Sequence, residues 1–280
     1  MRGFGINLMV WNSQIGHAER ALLPALAETG YTAVEVPVFA PDRFPTAETA
    51  AALRDAGLTC TVSTALPAGA NLVDSASVPA GLDFLAQVIR CAETLGAEIV
   101  CGPLALPVGE LRGRGYTAQE WASAVAALRA AGDIAADAGV TLALEPLNRF
   151  ETYFVNTADQ GVQLMDAVDH PAVGLLLDTF HMHIEEKSTP HALVHAARHL
   201  RHVHASENDR GIVGSGQVPW RAVWASLRQV GYAGWVVVES FNAFLPELAG
   251  ATCIWRPVAP DPMTLAQESL AFLRTLDAQA

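Results

Sequence analysis

The sequence predicts an α/β protein built as a single closed (β/α)8 barrel, the TIM-barrel architecture. Three observations predict it. Eight short runs rich in β-branched residues alternate with alanine- and leucine-rich amphipathic stretches. Glycines stand just before several of the runs. Four acidic or imidazole side chains fall at the ends of four successive runs in the second half of the chain, each about 30 residues from the next, the length of a strand-plus-helix unit. Eight β-then-α units imply a parallel sheet, because parallel neighbours need a crossover connection. An open doubly wound sheet is the competing architecture. There the four ends would spread over ~15 Å at ~4.8 Å per strand, whereas a barrel gathers them around one point.

The expected strands, in order, are GINLMV, AVEVPV, TCTVST, EIVCGP, TLALEP, VGLLLD, HVHAS and WVVVES. The expected helices open near His17, Pro45, Pro79, Thr117, Thr157, Thr189, Pro219 and Met263. Several of these openings carry helix-start chemistry, with Pro in the first turn or Thr followed by acidic residues. Gly30, Gly57, Gly96, Gly139 and Gly231 stand where a helix C-terminus favours left-handed backbone. Two stretches break the rhythm, Pro103 to Tyr116 after the fourth strand and Phe244 to Pro262 after the eighth. Both follow strand C-termini, where barrel enzymes build their substrate loops, and neither has the composition of a linker. One domain over residues 1–280 is therefore expected.

The bulk composition excludes several classes. With 51% hydrophobic residues the chain can bury one large core. A net charge of −12 and only 17 scattered basic residues argue against nucleic acid, which needs clustered Lys and Arg. Cys60, Cys91, Cys101 and Cys253 form no CxxC pair, so reduced thiols are expected. The apolar run in MRGFGINLMVW is too short for a secretory signal. No apolar stretch reaches the ~18 residues of a membrane span. A cytoplasmic enzyme free of membrane is the expectation.

The chemistry concentrates at strand ends. In TLALE, alternation puts Thr141, Ala143 and Glu145 on one side, with small residues below a carboxylate; a pair with Arg149 is the alternative for Glu145. Asp178 ends the buried run VGLLL, which is costly without a cation or several donors; a cap on the following turn is the alternative. His181, three residues on, can reach the same pocket, while His183 is assigned to surface or packing. His202 and His204 share one strand face. His204, nearer the C-terminal end, is the better ligand, and His202 is expected one layer below as a hydrogen-bonded core residue. Glu239 follows three valines. Two glutamates, an aspartate and a histidine form a hard-oxygen set with one nitrogen. That set suits Mn²⁺, Co²⁺ or Mg²⁺ better than structural zinc. The loop ENDRGIVGSGQVPW either binds phosphate through backbone N–H groups or needs glycine for a tight turn, the reading preferred here, with Arg210 an independent donor.

The stretches ALEPLNRFETYFVNTADQ, LLLDTFHMHIEE, HVHASENDRG with GSGQVPW, and VVVESF together resemble the D-tagatose and D-allulose (psicose) 3-epimerases of the xylose-isomerase-like barrels. The resemblance implies one divalent cation, Mn²⁺ first, on Glu145, Asp178, His204 and Glu239. It also implies that the two glutamates form the acid–base pair, and that Glu151, His181 and Arg210 contact substrate oxygens, with Glu151 holding His181 or a substrate hydroxyl. The implied reaction is epimerisation of a free ketose at C3 through a cis-enediolate, by a homodimer or homotetramer. Asn7 and PLALPVG depart from the pattern, since several relatives carry aromatic side chains there. The alternatives are an aldose–ketose isomerase or a cyclic-polyol-ketone dehydratase on the same site, and a non-catalytic sugar-binding barrel.

Overall fold

The computed structural model describes residues 1–241 and 243–279. Eight strands form a closed, wholly parallel barrel in sequence order, with β8 returning to β1. They are β1 (Gly3–Asn7), β2 (Ala33–Pro37), β3 (Thr59–Ser63), β4 (Ile99–Gly102), β5 (Thr141–Leu144), β6 (Val173–Asp178), β7 (Leu200–Ala205) and β8 (Trp235–Val238). Each overlaps one of the eight runs read from the sequence; in the first, GINLMV, the strand ends at Asn7 and Leu8–Val10 turn into a 3-10 helix.

The helices are α1 (His17–Arg20), α2 (Leu23–Thr29), α3 (Thr46–Ala56), α4 (Val78–Leu95), α5 (Ala118–Asp137), α6 (Ala158–Val168), α7 (Thr179–Glu185), α8 (Thr189–His195), α9 (Trp220–Gln229), α10 (Pro246–Thr252) and α11 (Pro262–Ala278). Thr117 and Thr157 each form a capping box, with Glu120 and Gln160 reaching back to the cap. The helix expected from His17 divides into α1 and α2. Two helices were not expected. The first, α7, starts directly on the last strand residue, because Asp178 itself accepts from the Phe180 N–H and no breaker intervenes. The second, α10, lies in the loop after β8 and begins on Pro246; seven residues are too few for a helical period to stand out. Among the described residues, no helix is long and apolar enough to cross a membrane.

The strand period sorts the side chains. A large apolar layer including Val34, Val36, Val62, Leu142, Leu175 and Leu177 packs between sheet and helices. Inside the barrel the apolar content shrinks to two small clusters, Ala33–Trp235–Val237 and Cys101–Ala143–Leu176. Above these the inward positions turn polar, with Glu35, Thr61 and His202, then Asn7, Glu145, Asp178, His204 and Glu239, all buried. A polar column in a buried interior persists only if its members satisfy one another or a ligand. At the far edge of the ring, α11 meets the segment that follows α2, where the Tyr31 hydroxyl donates to the Ala266 carbonyl at 2.7 Å.

Candidate active site

A cavity of about 320 Å³ opens at the C-terminal mouth of the barrel. Glu145, Glu151, His181, His204, Arg210 and Glu239 form its polar floor, and Met9, Phe39, Val108, Phe241 and Leu248 line apolar walls. Every side chain singled out from the sequence for chemistry, apart from Asp178 just beneath, therefore faces one space.

One donor atom each from Glu145, Asp178, His204 and Glu239 lies within 4.8 Å of the other three. The Nδ1 of His204 is 3.2 Å from Glu239 Oε1 and 4.0 Å from Glu145 Oε1. Both His204 Nδ1 and Glu145 Oε1 are buried without a hydrogen-bond partner. Orphaned donor atoms aimed at one point, from three carboxylates and one imidazole, fit a hard divalent cation. These four residues could hold it.

Asp178 combines both readings given to it from the sequence. Its Oδ1 accepts the Phe180 N–H at 2.8 Å and starts α7, while its Oδ2 faces the site. The alternative pairing of Glu145 with Arg149 does not form. Arg149 instead clamps Glu185 through Nε and Nη2, each at 2.9 Å.

Arg210 sits between two of the acids. Its Nη1 lies 2.7 Å from both Asp178 Oδ2 and Glu239 Oε2, and 3.0 Å from Ser206 Oγ. The guanidinium carbon stacks 3.9 Å over the Phe180 ring and 4.9 Å over that of Phe241. Arg and Lys are scarce near Glu239 in the sequence, yet this arginine, 29 positions away in the chain, reaches it in space. Arg210 adopts φ +63°, a left-handed backbone that its loop must enforce.

That loop is knitted around Glu207. Its carboxylate accepts the N–H groups of Gly214 and Val218, each at 2.9 Å, and Trp220 Nε1 at 2.8 Å. Gly214 itself has φ +91°. The glycines therefore serve the turn, and the N–H groups of Gly214 and Val218 point inward to Glu207 and away from any phosphate.

The Nδ1 of His181 accepts the Asn148 backbone N–H at 3.1 Å, which leaves the ring proton on Nε2. Burial, opposed by Asp178, pushes the His181 pKa down to about 3. The side chain is thus a neutral donor facing the cavity. The Arg210 Nη2 contact at 3.3 Å from that Nε2 is not a hydrogen bond, since both atoms carry protons. Of the two partners expected for Glu151, His181 or a substrate hydroxyl, His181 is not contacted directly. Asn148 stands between them, giving Nδ2 to Glu151 Oε1 at 2.7 Å and approaching His181 Nδ1 at 3.0 Å. The Asn148 amide reaches both because it follows β5 by only a few residues.

The two glutamates are pushed apart. Burial, with the charge of Glu239 next to it, raises the Glu145 pKa well above the usual carboxylate range. Burial opposes ionisation of Glu239 too, but His204 and Arg210 outweigh it and bring that group to about 2. Their surroundings thus favour a proton on Glu145 and charge on Glu239, the disposition of an acid beside a base.

His204 is also gripped from below. Its Nε2 lies 2.8 Å from Glu35 Oε1, a close contact whose angle falls short of a regular hydrogen bond. His202, as expected, is a core residue one layer down, with Nε2 2.7 Å from Glu35 Oε2. Burial disfavours charge on Glu35, but His204 and His202 overcome it and hold the carboxyl well below its ordinary range. Asn7 is fully buried, and its Nδ2 donates to Glu35 Oε1 at 2.8 Å. It does not line the cavity; Met9 does so from the end of the first strand, and Val108 from PLALPVG. Glu35, Asn148 and Glu207 went unnoticed in the sequence. For Glu35 a signal was there, because in AVEVP it shares the inward phase of Ala33 while Val34 and Val36 face the helices.

Residues 23–276 match the family described as xylose isomerase-like TIM barrel. A probable ketose 3-epimerase of Synechocystis sp. is 34% identical over 273 residues, 97% of this chain and 95% of that protein. An L-ribulose 3-epimerase of Methylomonas sp. is 31% identical over 97% of this chain and 96% of its own. Among solved structures, a D-allulose 3-epimerase from Methylomonas sp. in complex with D-allulose superposes with a TM-score of 0.93 at 30% identity, covering 98% of this chain and 96% of the other.

Proposed function

This chain belongs to the ketose 3-epimerases among the xylose isomerase-like TIM barrels, which makes it a carbohydrate epimerase, and from that premise we propose that it interconverts free ketoses at C3. The observation that carries this reading is the pair of buried carboxyls, Glu145 and Glu239, which reach one cavity from the ends of β5 and β8. Inverting C3 of a 2-ketose removes a proton next to a carbonyl and returns one from the other face. A single base cannot stand on both faces, and two carboxyls can exchange the roles of base and acid.

In this reading a divalent cation, Mn²⁺ first with Co²⁺ or Mg²⁺ as alternatives, would be held by Glu145, Asp178, His204 and Glu239 and would supply Lewis acidity to enolisation. Ionised Glu239 takes the C3 proton of one epimer, and the carboxyl of Glu145 delivers a proton to the opposite face of the cis-enediolate. For the other epimer the roles reverse. The neutral Nε2–H of His181 and the guanidinium of Arg210 donate to substrate oxygens where negative charge develops. Glu151, its Oε1 already taken by Asn148, accepts a substrate hydroxyl on the remaining oxygen. Met9, Phe39, Val108 and Leu248 keep water from the reacting carbons.

A free sugar is the substrate in this reading, because Arg210 is the sole arginine or lysine lining the cavity among the described residues and it is already paired with two carboxylates. Incubation in D₂O with free ketoses and their phosphates in parallel tests reaction and substrate together. Deuterium should appear at C3 of the product ketose, from the free sugars. Label only at C1 or C2 with an aldose product would establish the isomerase alternative, and a strong preference for the phosphates would overturn the substrate class. The enzyme is further assigned to the cytoplasm as a homodimer or homotetramer, whose mass in solution light scattering measures.

A further inference from the structure

The side chain of Glu35 does not touch the cavity, yet it is the most heavily contacted acid in the barrel. Its Oε2 receives Thr61 Oγ1 at 2.9 Å, His202 Nε2 at 2.7 Å and Cys101 Sγ at 3.1 Å. Its Oε1 receives Asn7 Nδ2 at 2.8 Å and has His204 Nε2 at the same distance. Five potential donors converge on a group with about four lone-pair sites when ionised, so this carboxyl carries no proton of its own. At 2.8 Å from an acceptor-only oxygen, His204 Nε2 must carry the proton. In the neutral imidazole that cation binding requires, the lone pair is then on Nδ1, the atom aimed at Glu145 and Glu239.

Asn7 extends the same control to a second residue. Its Oδ1 accepts the Met9 N–H at 2.9 Å, which fixes the orientation of the amide. The Nδ2 therefore donates downward to Glu35 and lies 3.4 Å from Glu239 Oε1. One buried carboxyl thus contacts His204 directly and, through Asn7, reaches Glu239.

We infer that Glu35 is a positioning residue for the cation site: it presents His204 Nδ1 as a ligand, raises the basicity of that imidazole, and with Asn7 orients Glu239. Carboxylates behind metal-bound histidines act in this way, and their loss commonly weakens metal affinity by roughly 10–100-fold. The inference rests on the reading of Glu145, Asp178, His204 and Glu239 as a cation site.

The discriminating change is Glu35→Gln, which keeps shape and removes charge. With its amide nitrogen on the Oε2 side, Gln can still be accommodated. The Thr61 hydroxyl can turn, and His202 can move its proton to the unpartnered Nδ1. Calorimetric titration with Mn²⁺ alone should show a Kd raised about 10–100-fold over wild type, with an unchanged circular dichroism spectrum. Thr61→Val removes a donor from the same carboxylate without touching its charge, and should leave Mn²⁺ affinity near wild type. Equal Mn²⁺ affinity in folded Glu35→Gln and wild type would overturn the inference, as would an equal weakening by Thr61→Val. Failure of the wild-type protein to bind Mn²⁺ would instead overturn the cation site itself. If Glu35→Gln does not fold, ¹⁵N NMR of wild-type protein loaded with diamagnetic Zn²⁺ decides. Metal on His204 Nδ1 with the proton on Nε2 supports the inference, and the reverse arrangement refutes it.

Discussion

Glu239→Gln is expected to keep the fold and lose turnover by roughly 10²–10⁴-fold, the usual scale for removing a general acid–base group. The replacement has the same shape and keeps an oxygen for Arg210, which also retains its contact with Asp178 at 2.7 Å. What it loses is the ionised state that His204 and Arg210 sustain at Glu239. A carboxamide cannot accept a proton from carbon. Weaker cation binding would add to the loss, so kcat is measured at saturating Mn²⁺ with the metal affinity determined alongside. Wild-type rates under those conditions would exclude Glu239 as the base. Glu145→Gln should behave alike, since an amide mimics the shape of the protonated carboxyl but cannot deliver a proton.

The second large effect concerns stability. Arg210→Met keeps apolar bulk against Phe180 and Phe241 and deletes the charge. Asp178 Oδ2 and Glu239 Oε2 are then left facing each other in a buried site. Breaking a buried ion pair from one side costs about 3–5 kcal/mol. Urea unfolding in the presence of a chelator should register a loss of that order. Added Mn²⁺ should restore part of it by binding the folded state preferentially. A loss no larger than the roughly 1 kcal/mol of an exposed pair would mean that one carboxylate takes up a proton when its partner is removed.

The barrel and the principal site residues were legible in the sequence for one reason. Each strand reads as a short buried run, and a polar residue closing such a run has nowhere to go but the mouth. Glu145, Asp178, His204 and Glu239 all carry that signature, and the structure brings them within 4.8 Å. What lay beyond reach depends on tertiary geometry. Nothing in a one-dimensional string pairs Arg149 with Glu185 in preference to Glu145, or interposes Asn148 between Glu151 and His181. The role of Asn7 is a related case. The resemblance puts an aromatic side chain in the pocket at this position, but the Asn7 amide is buried at the level of the acids and hydrogen-bonded to Glu35. The helix α7 escaped because its start signal, Asp178, had already been read as a ligand, and one residue turned out to do both.

That double duty at Asp178 sets the terms on which the protein can evolve. Oδ1 begins the helix that carries His181, and Oδ2 serves the cation cluster. Serine or asparagine would preserve the first role, since both cap helices well, but neither brings the charge. Glutamate would bring the charge with a chain one methylene too long for the cap. No single substitution conserves both, so this position should resist drift and return almost no active clones from a randomised library. The apolar walls carry no such conflict. Met9, Phe39, Val108 and Leu248 each face the cavity without a polar obligation. Changes in sugar preference should therefore be selectable at those four positions, while the chemistry below them stays unaltered.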